Sequence, residues 1–138
     1  MAVARFGVSI PEELIADFDQ RIEERGYSTR SEAIRDIIRD YLVEREWEGA
    51  SGPVVGTVTL VYSHETRELQ HVLTDLQHSY HAEICCATHI HLDAHNCLEV
   101  IVLRGAAAHV REIADRLIAT RGVKHGKLVC TTTGKGIV

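Results

Sequence analysis

The side chains best suited to chemistry lie between His89 and Glu99, which reads His-Ile-His-Leu-Asp-Ala-His-Asn-Cys-Leu-Glu. Residues 84–92 are mostly apolar or β-branched, as in a strand. Alternate side chains of a strand share a face, so His89 and His91 point the same way. Asp93 to Asn96 carries turn chemistry and residues 98–103 form a second apolar run, the outline of a β-hairpin. A turn centred near Ala94 sets Cys97 across from His91, with Cα atoms about 5 Å apart. Two imidazoles and a thiolate then converge on one patch. Nitrogen and sulfur donors suit nickel, copper, zinc or cobalt rather than magnesium or calcium. The plainer account is two surface histidines beside a buried cysteine. Three metal-ligating residues landing on one face argue against it.

Composition divides the 138-residue chain. All nine histidines and all four cysteines follow Tyr62. Residues 1–48 carry seven Lys and Arg against twelve Asp and Glu, a net charge of −5; residues 53–138 are neutral. Gly49-Ala50-Ser51-Gly52-Pro53 joins flexible residues to a helix breaker and reads as a linker. The expected domains are therefore 1–48 and 54–138, with 49–53 between. Arg5 falls early and no long apolar core follows, so no signal peptide is expected. No run approaches the roughly 20 apolar residues of a membrane span. The thiols then read as reduced, in a cytoplasmic protein without a membrane partner. Cys85, Cys86 and Cys130 read as small buried apolar residues.

The first segment opens with period-two alternation. Phe6, Val8 and Ile10 form one face; Arg5, Gly7 and Ser9 form the other. Pro11 suits the start of a helix. Leu14, Ile15, Phe18 and Ile22 recur at helical spacing, and Gly26 is a fitting stop. Thr29-Arg30-Ser31-Glu32 is a capping box that opens a second helix. One strand and two helices cannot bury an adequate core alone. An intertwined dimer with its two strands paired antiparallel solves this, and such a ribbon fits the DNA major groove.

These residues resemble a ribbon–helix–helix DNA-binding domain. The run from Gly26 to Asp36 carries the resemblance most specifically. It implies double-stranded operator DNA as partner, with Arg5, Gly7 and Ser9 on the base-reading face. Ser28 and Arg30, at the start of the second helix, would hold a phosphate, a task suited to free backbone N–H groups. The acidic segment attracts phosphates poorly. Gly7 stands where the family usually carries a hydroxyl residue.

In the second segment, strands are expected over 54–62, 84–92, 98–103 and 123–131, with helices over 65–80 and 106–120. The order βαββαβ is a ferredoxin-like, or ACT-like, unit. The fold class is α+β. Leu98, Val100 and Val102 line one face of the third strand; Cys97, Glu99, Ile101 and Leu103 line the other. Both faces are apolar, so the ligand-bearing face is expected to be buried against another subunit. With the ribbon dimer, that gives a homotetramer.

This segment resembles the regulatory domain of the nickel-responsive repressors, the NikR family. The matching runs are Gln77-His78, His89-Ile90-His91, Asn96-Cys97-Leu98-Glu99-Val100 and Gly122-Val123-Lys124-His125-Gly126. The resemblance implies one Ni(II) per subunit, held by His89, His91 and Cys97 of one subunit and His78 of a neighbour. The sequence leaves open whether His78 serves its own chain or a neighbour. Four such donors in a plane suit nickel(II) or copper(II), whereas zinc favours a tetrahedron. Glu99 shares the Cys97 face and is expected to orient a ligand. Glu32 and Asp36 lie four apart on one helix face; in that family these positions contribute to a cation site, often potassium, between domains. His64, His81 and His95 read as surface or loop residues able to take extra metal.

The reading is a nickel-dependent transcriptional repressor of nickel uptake genes, not an enzyme. Two alternatives accompany it. One is a metal-dependent hydrolase with Glu99 as general base, which would need an open metal position. The other is an antitoxin-type protein that binds DNA without metal.

Overall fold

The computed structural model describes residues 2–49 and 52–138. Met1, Ala50 and Ser51 lie outside the described residues, and with them the middle of the expected linker. The chain forms two compact units, Met1–Asp40 and Tyr41–Val138.

In the first unit, helix α1 spans Glu12–Glu24. Pro11 precedes it with φ −54°, already set for the first turn. Glu12 and Glu13 sit in that turn, where negative charge complements the helix dipole. The helix stops at Gly26, whose φ is +84°. There Tyr27 N–H donates to the Ile22 carbonyl at 3.0 Å and Gly26 N–H to that of Glu23 at 2.9 Å. Those two bonds satisfy carbonyls that α1 leaves over, in a Schellman closure that favours glycine. Helix α2 spans Arg30–Glu48. The Thr29 hydroxyl accepts from Glu32 N–H at 3.2 Å, and the Glu32 carboxylate accepts from Ser28 N–H at 3.3 Å. The capping box therefore forms, reaching back one residue further than its usual form.

The expected strand over residues 5–10 has no strand pairing among the described residues. A ladder needs a second strand, and the described part of this unit supplies none. Phe6 is 73% and Val8 66% exposed. A groove of about 290 Å³, lined by Ile10, Leu14, Ile15, Phe18, Ile34 and Ile37, lies beside Ile10. So much apolar surface left open is the mark of an interaction surface.

In the second unit, Trp47, near the end of α2, is buried and donates its indole N–H to the Thr131 carbonyl at 2.8 Å. The remaining elements are β1 (Val54–Ser63), α3 (Arg67–Ser79), β2 (Ile84–His91), β3 (Asn96–Gly105), α4 (Ala107–Ile118) and β4 (Val123–Thr131). The strands form one sheet in the order β2-β3-β1-β4, with every pairing antiparallel. That order, with α3 and α4 as the connecting helices, is the ferredoxin-like arrangement. Among the described residues no helix is long and apolar enough to cross a membrane.

The placement of the sheet faces corrects one expectation. Cys97, Ile101 and Leu103 are fully buried, together with Val58 and Leu60 of β1, Leu69 and Leu73 of α3, and Ile113 and Leu117 of α4. On β1 and β3 the ligand-bearing face is thus covered by the chain's own helices, while His89 and His91 on β2 stay exposed. The face carrying Leu98, Val100 and Val102 is only half-buried. Alternation within β3 could not decide this, because both its faces are apolar. β1 decides it: Leu60 and Tyr62 point under the helices, while Thr57 and Thr59 point away.

Candidate metal centre

The hairpin sets the geometry. His91 pairs with Cys97 and His89 with Glu99 across β2 and β3. Tyr62 of β1 pairs with Cys97 on the other side. The imidazoles therefore share the face of the buried thiol. β2 is the edge strand, so His89 and His91 remain exposed at the rim while Cys97 is fully buried. Cys97 Sγ lies 3.6 Å from His91 Nδ1, and the His89 and His91 rings are 5.2 Å apart.

The turn between the strands is held by Asp93. Its carboxylate accepts backbone N–H bonds from His95 and Asn96, both at 2.7 Å, and the Asn96 side-chain amide. The Asn96 amide first, then the two backbone donors, hold the Asp93 carboxyl down at about 2. Its folded form thus ionises more readily than its unfolded form, whose ordinary value is 3.8. The turn's contribution to stability is present above that value and is lost as pH falls towards about 2. An NMR titration should place the Asp93 midpoint near 2; a midpoint at the ordinary value would show the turn unformed.

A residue read as peripheral joins the cluster. One ligand atom each from His64, His91 and Cys97 lies within 4.8 Å of the others. His64 extends the Leu60, Tyr62 alternation by one step, and its N–H donates to the His95 carbonyl at 3.1 Å. Its Nδ1 is buried without a hydrogen-bond partner among the described residues. A buried polar atom without a partner is costly, and an ion beside it would remove that cost. The donor set of two imidazoles and a thiol suits a borderline-soft ion. The signal was available: strand alternation puts residues 60, 62 and 64 on one side.

Around this cluster, Tyr62 donates its hydroxyl proton to Glu99 Oε2 at 3.3 Å and lies 3.4 Å from His89 Nδ1. Burial first, then the Glu99 charge, pushes the phenol above its usual range. Gln77 of α3 donates to Glu99 Oε1 at 3.4 Å. His78, the next residue, is exposed and lies outside the three-residue cluster. His81 and His95 are exposed; His95 faces Glu65 at 2.7 Å. Cys85 and Cys86 are exposed rather than buried, and Cys130 is intermediate. The first two lie on the edge strand, whose outer side no neighbour covers in one chain.

In the first unit, Arg5, Gly7 and Ser9 are exposed. A side chain at Gly7 would meet nothing within 4 Å. Arg30 grips Asp19 through two 2.7 Å bonds, and Ser28 N–H is taken by Glu32. Asp36 accepts from the Tyr27 hydroxyl and from Arg39, both at 2.8 Å. Those donors, the phenol first, hold its carboxyl below the usual range.

The profile of the NikR C terminal nickel binding domain matches residues 55–131, which contain this whole cluster. That of the ribbon-helix-helix protein, copG family, matches residues 4–45. The chain belongs to the NikR family of nickel-responsive regulators. A protein provisionally named nickel-responsive regulator in Geobacter metallireducens is 60% identical over 95% of this chain and 94% of its own. Relatives with the same provisional name in Thermococcus onnurineus and Pyrococcus furiosus are 54% and 56% identical over the full length of both chains. NikR proteins are transcriptional regulators rather than enzymes, with a DNA-binding ribbon–helix–helix segment and a nickel-binding domain. Membership sets aside both the hydrolase and the metal-independent antitoxin.

Proposed function

We propose that this NikR member is a cytoplasmic repressor that binds operator DNA when Ni(II) is present and thereby controls nickel uptake genes. Residues 1–48 read DNA, residues 54–138 bind metal, and residues 49–53 join them. The observation that carries the reading is the pairing of His91 with Cys97 in a chain that also holds a ribbon–helix–helix segment.

His89, His91 and Cys97 would hold the ion together with His78 of a neighbouring copy. The exposure of His78 supports that assignment, since it is available to another chain. His64 stands as a donor within the same chain, available to an ion that favours a tetrahedron. These residues would let a nickel ion link donors of two chains. Glu99 orients His89 through Tyr62 and thereby keeps it at the rim. The half-buried sheet face, with Leu98, Val100 and Val102, supports assembly of two ribbon dimers into a homotetramer. Linkage then requires only that the DNA-competent arrangement bind the ion more tightly. On the base-reading face Arg5, Gly7 and Ser9 meet the major groove, while Ser28 and Arg30 meet phosphate. Glu32 and Asp36 are proposed to hold potassium; both carboxylates already accept hydrogen bonds and so are fixed in place.

The test is DNA footprinting of the full chain with nickel, copper, zinc and cobalt in turn, at two potassium concentrations. Protection of one operator with nickel, and its loss on chelation, is expected. Equal protection without metal would overturn the reading. A titration should also show nickel affinity falling as pH drops, because thiol and imidazoles must shed protons to ligate.

A further inference from the structure

We propose that Asp19 competes with the DNA backbone for Arg30, and so sets how weakly this regulator holds duplex DNA when nickel is absent. The inference rests on the reading of Arg30 as a phosphate contact given above.

Arg30 is the first residue of α2, and Asp19 lies in the second half of α1. The guanidinium donates from Nε to Oδ1 and from Nη2 to Oδ2, both at 2.7 Å. Two parallel bonds of this kind are how arginine grips either a carboxylate or a phosphate. Asp19 thus occupies the edge of the fork that a DNA phosphate would use. The Arg30 hydrogen bond holds the Asp19 carboxyl below its ordinary value, so the competitor is a full anion at neutral pH. A phosphate that approaches Arg30 therefore meets a negative charge beside the positive one, and the two largely cancel at a distance.

The pair lies within reach of a duplex. The Arg30 side chain is 57% exposed and that of Asp19 43%. A pair this exposed is weak, so Asp19 lowers the gain from a phosphate contact without abolishing it. The rest of the segment has few cations to make up the loss. Residues 1–48 carry seven Lys and Arg against twelve Asp and Glu. Arg21, Arg39 and Arg45 also face carboxylates of their own segment. Binding that does not depend on sequence comes from cations that neutralise phosphates and release counterions. Engaging Arg30 internally removes its share of that background. Occupancy of the operator then depends more on the arrangement that nickel favours.

The experiment measures binding of the metal-free full chain to a labelled duplex of random sequence, by fluorescence anisotropy across a series of salt concentrations. Asp19→Asn should bind roughly two- to fivefold tighter for each cation freed, the range of an exposed ion pair. Its log–log salt slope should steepen by about 0.9 per freed cation. Asp17→Asn, at an exposed position of the same helix, removes the same charge without freeing Arg30. It should give a smaller gain and the parent slope. Adding Arg30→Gln to Asp19→Asn should cancel the gain. A purely structural role for the pair would lower the melting temperature and leave the slope unchanged. Asp19→Asn that matches Asp17→Asn in affinity and slope would overturn the proposal, as would a gain that survives Arg30→Gln. If Asp19→Asn does not fold, Arg30→Lys decides, since it keeps both charges and loses the two-point grip. Tighter duplex binding than the parent then supports the competition, and equal or weaker binding overturns it. The phosphate reading is separable. If Asp19→Asn equals Asp17→Asn and Arg30→Gln still lowers affinity and slope, that reading stands and only the competition fails. If Arg30→Gln changes neither in the Asp19→Asn chain, both fail.

Discussion

Cys97→Ala is expected to abolish nickel-dependent operator binding while leaving a folded chain. Cys97 is fully buried and sits 3.6 Å from His91 Nδ1. Its loss removes the sole sulfur among the proposed donors. Nickel affinity should fall by more than the roughly 10–100-fold that an outer partner costs, and sulfur-to-nickel charge-transfer absorption should vanish. The stability penalty is a small void, roughly 1 kcal/mol, so circular dichroism and melting should stay close to the parent. A Cys97→Ala protein that still footprints fully with nickel would refute the site.

The same variant reports where His78 acts. His78→Ala removes an exposed side chain and should also lose nickel affinity. Neither variant alone then has a complete site. If His78 serves a neighbour, a mixed pair of Cys97→Ala and His78→Ala chains contains one intact site. The intact site joins Cys97 of one chain to His78 of the other. If His78 serves its own chain, every site in the mixture stays broken. Recovery of charge-transfer absorption on co-folding the two variants is the expected result.

The hairpin was legible because three kinds of sequence evidence agree there. β-branched runs, an Asp-to-Asn turn and strict alternation all give the His91–Cys97 register, and the structure has it. The helix starts were legible for the same reason: Pro11 and Thr29 carry local chemistry that does not depend on the rest of the fold. The covered sheet face was not legible in β3, where both faces are apolar. It becomes so only by reading β1, whose threonines fall on the open side. In the sequence His64 reads as a surface or loop residue able to take extra metal rather than as part of this cluster, because it follows the strand end; its backbone bond to His95 keeps it beside the site. Cys85 and Cys86 were misplaced because a free cysteine is usually buried. Their exposure follows from the edge position of β2, which strand order sets and local sequence does not. The Arg30–Asp19 pair joins residues eleven apart, and no periodicity announces such a contact.

Val8→Glu is expected to destroy operator binding and leave the metal centre intact. Val8 is 66% exposed in one chain, on the same alternate face as Phe6 and Ile10. In a paired ribbon that face turns into the shared core of the dimer. A carboxylate there would be buried without a partner, at a cost of several kcal/mol. Since each 1.4 kcal/mol is tenfold, the dimer constant should weaken on the order of a hundredfold or more. The acidic first segment offers little nonspecific attraction to phosphates that could compensate. Arg5→Ala makes the contrast. It would remove the proposed base contact, worth about 1–3 kcal/mol, and should weaken DNA binding without changing the oligomer. His64, His91 and Cys97 all lie in the unit Tyr41–Val138, so Val8→Glu should still take up nickel. Sedimentation should show a smaller assembly for Val8→Glu and the parent size for Arg5→Ala. A Val8→Glu protein of parent size with an unchanged footprint would mean that the alternating face of residues 6–10 is not where two chains meet.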